Sequence, residues 1–272
     1  MRGNEQNMTN ASPFSVQLIG GPTALIEISG IRLITDPTFD PPRSFERDGV
    51  TVVSKLSGPA RSAEQIGVVD VVLLSHDQHP DNLDESGARY LASTPRVITT
   101  APAAQRLRSD LPAHLEGLDV WESTSIETPD GVLRVTALPA QHGPTPDAHE
   151  VNGTVVGFFL EAPDGRTVYV SGDNASVDVV REIVERVGQP DVAVLFLGGG
   201  SLPFLFDGAF VTLNADLGAR AADLLGNAVV IPVHLNGWSH YTDTEDDVVQ
   251  AFAGAGHDAT LRLLAPGETY AA

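Results

Sequence analysis

Leu74-Ser75-His76-Asp77-Gln78-His79-Pro80-Asp81-Asn82-Leu83-Asp84 sets two imidazoles and three carboxylates within one short stretch. It leaves the run 70–74, which is uniformly apolar after Asp70. A short run without polar alternation reads as a strand buried on both faces of its sheet. Loops at the C-terminal ends of such strands are where α/β proteins gather binding and catalytic groups. Imidazole is the commonest protein ligand for metals, and a nearby carboxylate suits a second ion or a bound water. On its own the stretch also fits a polar surface turn running into a helix cap.

Outward from it, the same placement recurs three times. His142 stands in Pro139-Ala140-Gln141-His142-Gly143-Pro144, after an apolar run at 132–138. Asp173 stands in Ser171-Gly172-Asp173-Asn174, after a run at 167–171, and His234 closes Ile231-Pro232-Val233-His234, after a run at 228–233. One such residue alone is usually a solvated histidine or a capping aspartate. Four strand ends that each carry a metal-ligand side chain point to one shared centre.

Gly20-Gly21 and Gly30 divide apolar runs at 15–19, 24–28 and 31–35, which predicts hairpin-linked strands. Further strands are predicted at 154–161, 192–196 and 260–264, and helices at 101–107, 177–187, 212–225 and 243–253. Helix 177–187 gathers Val177, Val179, Val180, Ile183, Val184 and Val187 as its apolar set. Thr212 or Asn214 would cap the next helix, and Gly226 would stop it. Antiparallel strands first and strand–helix units later predict two packed sheets with helices outside. Residues 1–12 read as a disordered leader, and 13–272 as a single domain undivided by any linker.

The chain has 272 residues, with Asp+Glu 36 against Lys+Arg 16, for a net charge of −20. A surface of that sign repels nucleic-acid phosphates and anionic lipid, so the expected partner is a small-molecule substrate and not a polyanion. With Cys at 0, disulfides, thiolate ligands and a cysteine nucleophile are excluded. A metal would have to be held by His, Asp, Glu, Asn or water, a donor set suited to zinc, manganese or iron. The uncharged, largely apolar stretch 192–206 is short for a membrane span and is interrupted by Gly198, Gly199 and Gly200. Residues 1–13 are polar, without the apolar core of a signal peptide. The expectation is a cytoplasmic protein without membrane insertion. A homo-oligomer stays open.

The ordered series of ligand-bearing strand ends resembles the metallo-β-lactamase superfamily. Within it the chain is similar to the branch containing ascorbate-6-phosphate lactonases and related metal-dependent hydrolases. The resemblance runs from about Phe14 to Leu264. It takes in Gly20-Gly21-Pro22-Thr23-Ala24-Leu25-Ile26-Glu27-Ile28, Thr35-Asp36-Pro37 and Ile231-Pro232-Val233-His234-Leu235-Asn236-Gly237-Trp238-Ser239-His240. It implies an α+β fold, a four-layer αββα sandwich. The family's first motif is His-x-His-x-Asp-His, and this chain departs from it. Anchored on His76, the motif puts Gln78 at the second histidine and Pro80 at the aspartate. Anchored on Asp81, it puts His79 at the second histidine and Asn82 at the last position, and this register keeps His79 and Asp81 in role.

By resemblance, His76, His79 and His142 would hold one divalent ion. Asp81 and His234 would hold another, with Asn82 as a weak ligand, and Asp173 would bridge the two. Zinc is the ion implied, with manganese or iron as alternatives, in a site of one or two ions. Asp81 would orient the attacking water and later move a proton. His240, six positions after His234, would contact substrate or a developing oxyanion, with a packing role equally open. The implied activity is hydrolysis of a small ester, lactone or related carbonyl substrate. A small-molecule or lipid phosphodiester is the second reading, with few basic residues near the motifs to support it. A non-catalytic metal-binding protein with a degraded site, suggested by Gln78 and Asn82, is the third. Asp36 before Pro37 suits the site or a plain turn, and the Gly198–Gly200 run would let backbone approach a ligand. His114, His149 and His257 read as surface residues.

Overall fold

The structure, a computed structural model, describes residues 13–47, 50–111 and 114–272, and the leader expected at 1–12 lies outside the described residues. Two mixed sheets fill its middle. The first runs in the order Thr269–Ala271, Ser15–Gly20, Thr23–Ile28, Ile31–Thr35, Val71–Leu73, Val97–Thr100, Leu115–Leu118. Its hairpin-linked strands pair antiparallel, as the glycine punctuation predicts, and from Ile31–Thr35 onward the pairing is parallel. The second runs Val229–Val233, Val192–Phe196, Thr167–Val170, Val156–Glu161, Gly131–Pro139, Ser123–Thr128. A separate hairpin pairs Arg43–Arg47 with Val50–Lys55.

Strand alternation sorts the side chains into layers. Val71 and Leu73 point between the sheets, where they join Val194, Phe196, Ile231 and Val233 of the second sheet. Val72 and Leu74 point the other way, into a cluster with Ile66 of helix Ala63–Ile66 and with Tyr90 and Leu91 of helix Glu85–Leu91. Ala193 and Leu195 form a third cluster with Val180 and Ile183 of helix Val177–Val187, Ala222 of Ala215–Leu225 and Phe252 of Glu245–Ala255. The result is the four-layer order helix, sheet, sheet, helix. It also explains why the runs around 72 and 194 show no polar alternation: apolar neighbours cover both faces. Each fully buried Leu, Val or Phe here stabilises by about 1.5–3 kcal/mol. Leu73→Ala, with no solvent access at its side chain, would cost about 2–5 kcal/mol.

Caps fix where the helices begin. Of the two candidates for the helix predicted at 212–225, Asn214 is the cap: its side chain accepts from the Leu217 N–H, and the helix runs Ala215–Leu225. Thr244 and Asp247 form a reciprocal capping box at the start of Glu245–Ala255.

One predicted strand does not form. Residues 260–264 make a single parallel bridge, Val230 to Leu261, with the Val230 N–H donating to Thr260 and the Arg262 N–H donating to Val230. The next rung would need an N–H at position 232, which is proline and has none. The ladder therefore stops after one register. The last strand is instead Thr269–Ala271, which crosses to the first sheet and pairs with Ser15–Gln17.

Candidate metal centre

Each predicted ligand is placed by backbone that the strand leading to it dictates. Past Val71–Leu73, the Ser75 N–H donates to Asp36 Oδ1 at 2.6 Å and turns the chain, so that His76 enters the interior fully buried. A tight turn follows, in which the Asn82 and Leu83 N–H groups donate to the His79 carbonyl. Asp84 then caps helix Glu85–Leu91 by accepting from the Gly87 N–H at 2.8 Å. The plain reading of this stretch as a turn into a helix cap is thus also realised, by residues beside the ligands. At the far end, His234 has φ 54°, a left-handed conformation uncommon outside glycine, and its N–H donates to the Gly21 carbonyl at 2.7 Å. Gly198 lies so close that an added Cβ would sit 2.1 Å from the His234 carbonyl oxygen. The first glycine of the run therefore makes room for the His234 backbone, while Gly199 and Gly200 lie against Thr242, Asp243 and Thr212.

His76, His79, His142 and Asp173 present ligand atoms all within 4.8 Å of one another, and Asp81, Asp173 and His234 form a second such group. His79 Nδ1 lies 2.9 Å from His76 Nε2 and 3.1 Å from His142 Nε2. The tautomers follow from the outer partners. His142 Nδ1 lies 2.7 Å from the Val211 carbonyl oxygen, an acceptor only, so Nδ1 carries the proton and Nε2 presents a lone pair. The Ser75 hydroxyl donates to Asp36 Oδ2 at 2.6 Å, so it must accept from His76 Nδ1–H, and His76 Nε2 is likewise a lone pair. His79 Nδ1 can donate to one of them at most. The other is left as a lone pair aimed at further lone pairs, an arrangement that a bound cation would satisfy. These residues therefore fit a metal ion on the chemistry of their own hydrogen bonds.

Asp173 divides its two oxygens between the groups. Oδ2 faces His142 Nε2 at 3.5 Å and His76 Nε2 at 3.9 Å, while Oδ1 faces His234 Nε2 at 3.5 Å and accepts from Asn82 Nδ2 at 3.3 Å. Asp81 Oδ2 stands 3.2 Å from His234 Nε2 and 2.9 Å from His240 Nε2. Four buried atoms here have no hydrogen-bond partner: Asp173 Oδ2, Asn82 Oδ1, His234 Nδ1 and His240 Nδ1. Asp173 Oδ2 and Asn82 Oδ1 are buried acceptors at a polar centre, and a bound cation would satisfy both.

The electrostatics agree. Burial, reinforced by the neighbouring imidazoles, pushes His79 down to about 4 and His76 well below its ordinary value, so both are neutral bases at pH 7. Burial would raise the Asp81 carboxyl, but the His240 and His234 imidazoles hold it well below the usual carboxylate range. Burial pushes the Asp36 carboxyl up to about 7, against the hydrogen bonds from Ser75 and Asn82 that favour its ionised form.

All seven predicted positions, His76, His79, Asp81, Asn82, His142, Asp173 and His234, meet here, and His240 joins them through Asp81. Gln78 does not: its amide oxygen lies 2.0 Å from where a Cβ on Gly153 would be, so it packs on that glycine. Asn82 offers its Nδ2 to Asp36 and Asp173, leaving Oδ1 as its free donor atom. His257 bonds Asp223 at 2.8 Å, and His114 and His149 bond nearby carbonyls, all away from the centre. Two residues carry more than the sequence reading gives them. Asp36 orders Ser75 and Asn82 from φ 30°, with 1% exposure, so it is far more than a turn-former. Tyr241 buries an unpartnered phenol oxygen, and burial together with Asp81 and Asp173 keeps that phenol protonated. An Asp-Pro dipeptide pointed weakly to the first, and nothing in the sequence marks the second.

A protein-family model described as a beta-lactamase superfamily domain matches residues 31–235. A metal-dependent hydrolase of Caldivirga maquilingensis is 24% identical over 246 residues, covering 89% of this chain and 91% of its own. A metal-dependent hydrolase of Pyrococcus abyssi is 25% identical over 201 residues, covering 74% and 80% respectively. Among solved structures, an isothiocyanate hydrolase from Delia radicum gut bacteria superposes with a TM-score of 0.79 over 94% of this chain and 98% of its own. At 19% identity, that is a likeness of fold. Among the described residues no helix is long and apolar enough to cross a membrane.

Proposed function

We propose that this chain, which belongs to the beta-lactamase superfamily and is a metal-dependent hydrolase, cleaves a small ester, lactone or related carbonyl substrate. The observation that carries the reading is the convergence of His76 Nε2, His142 Nε2 and His79 Nδ1 on one another with Asp173 beside them. His76, His79 and His142 would hold one ion, Asp81 and His234 a second with Asn82 Oδ1 as its weak member, and the two oxygens of Asp173 would serve both. Zinc suits the donor set best. When bound, such ions lower the pKa of water from 15.7 toward ~7 and polarise a carbonyl oxygen.

The side chains supply the rest. Asp81, held as a carboxylate, accepts a proton from the attacking water. His240, 2.9 Å away through Nε2, orients that carboxylate. The Val211 carbonyl and Ser75 hydroxyl hold the imidazoles of His142 and His76 in the ligating tautomer. The carbonyl reading follows the resemblance to the ascorbate-6-phosphate lactonase branch. Because Gln78 packs on Gly153 and His79 fills the second-histidine role, the departure at position 78 does not degrade the site.

The test is metal content by mass spectrometry together with turnover of a generic ester, a lactone and a phosphodiester by zinc-reconstituted protein. Ester or lactone turnover that tracks metal content supports the reading. Bound metal with phosphodiester turnover only, or with no turnover, refutes it.

A further inference from the structure

The ligands open onto a cavity of about 440 Å³ that His79, Asp81, His142 and His240 line at its base. That volume is in the range of small-molecule sites. One wall comes from the hairpin, through Phe45, Val52 and Val53. Val151, Phe204 and Leu205 supply further apolar lining. Phe204 at 66% and Val151 at 62% are the most exposed large apolar side chains among the described residues, and both stand at this mouth. An apolar side chain left in water beside a polar centre marks a surface that something apolar covers.

The charged groups among the described lining residues are of one sign. Glu46 and Asp77 line the cavity, and no Lys or Arg is among its described lining residues. Three described cations close by are already engaged, among them Arg43, which lies over the Phe45 ring and 3.4 Å from both Asp40 and Glu85. Arg106 donates to both oxygens of Asp77, and Lys55 lies buried with Nζ on Asp84 at 2.8 Å. A substrate carboxylate or phosphate remote from the reacting carbonyl would meet the Glu46 carboxylate and the already ion-paired Asp77, with no Lys or Arg among the described lining residues.

Resting on the carbonyl reading above, we infer that the substrate carries its scissile carbonyl on an uncharged, apolar chain, and that the site rejects anionic chains. The apolar walls contribute about fourfold in affinity per buried methylene. The Glu46 carboxylate near the mouth, together with desolvation of the anion itself, costs an anionic chain roughly tenfold.

Equilibrium binding of hydroxamates to zinc-loaded protein tests this without turnover. Kd is expected to fall about fourfold per methylene from acetohydroxamate through butyrohydroxamate to hexanohydroxamate, until the walls are filled. The succinic half-hydroxamate should bind roughly tenfold more weakly than butyrohydroxamate of the same length. Phe204→Ser with Val151→Ser should flatten the chain-length slope, and Glu46→Lys should narrow the charge gap. A Kd independent of chain length, an anionic probe that binds as well as the neutral one, or no hydroxamate binding at all overturns the inference. Ester turnover on the same acyl series reports the hydrolytic reading separately. Chain-length preference in binding without ester cleavage sinks that reading alone, and ester cleavage without chain-length or charge preference sinks the inference alone.

Discussion

Lys55→Met should cost about 3 kcal/mol of stability. Lys55 is the only lysine in the chain, and it is 5% exposed. Its Nζ lies 2.8 Å from Asp84 Oδ2. At an effective dielectric constant of ~20, unit charges at that separation attract by about 6 kcal/mol, most of which offsets the desolvation of both groups. Breaking a buried pair from one side costs about 3–5 kcal/mol, because the surviving charge loses its counter-charge. Asp84 also accepts from the Phe39, Asp40 and Gly87 N–H groups, at 2.9, 2.7 and 2.8 Å, and these carry part of its negative charge. The lower end of the range is therefore expected. Methionine fills a similar volume, so a cavity adds little. Urea unfolding followed by circular dichroism, with m compared between variants, measures the loss. Adding Asp84→Asn to Lys55→Met should cost less than the two single changes summed, by about 2 kcal/mol. A loss below ~1 kcal/mol for Lys55→Met, or strict additivity, would show that the pair is already well solvated and does not hold the hairpin to the helix start.

Gln78→Ala should leave metal content unchanged within error while His79→Ala lowers it, read by mass spectrometry after dialysis; the reverse would mean that the motif register is wrong. Asp173→Ala should weaken both ions, since its oxygens face both groups, and two unaltered dissociation steps against a chelator would remove its bridging role. Tyr169→Phe should stabilise by about 1 kcal/mol and raise Tm by ~2–4 °C, because the Tyr169 hydroxyl is buried without a partner and burial pushes its phenol pKa up. A lowered Tm there would mean that the hydroxyl has a partner after all.

Most of the candidate ligand set was legible because imidazoles and aspartates at strand ends are both rare and local. The reader needs only the apolar run and the residue that follows it. The four layers were legible for a related reason: runs such as Val192–Phe196, apolar on both faces, have to lie between two covering layers. What stayed hidden depends on distant partners. The hairpin Arg43–Arg47 with Val50–Lys55 is fastened by contacts far along the chain, such as the Ser54 N–H to the Ser239 hydroxyl and Lys55 to Trp238. Ser123–Thr128 buries Ile126 alone, so it shows no apolar run. The failed strand at 260–264 has a sound local pattern, and the obstacle to it sits at Pro232, on the strand it would have joined.

That proline also shapes how the molecule meets its own kind. Val229–Val233 is the outermost strand of the second sheet, and such an edge offers a row of donors and acceptors to any extended segment that drifts alongside. Here the row is spoiled twice: residues 260–262 occupy Val230, and position 232 has no donor to give. A neighbouring strand would find no free N–H at Val230 or at position 232 to pair with. The edge beside His234 is thereby closed to strand-by-strand growth, and a crowded solution of this protein is protected from sticking along it.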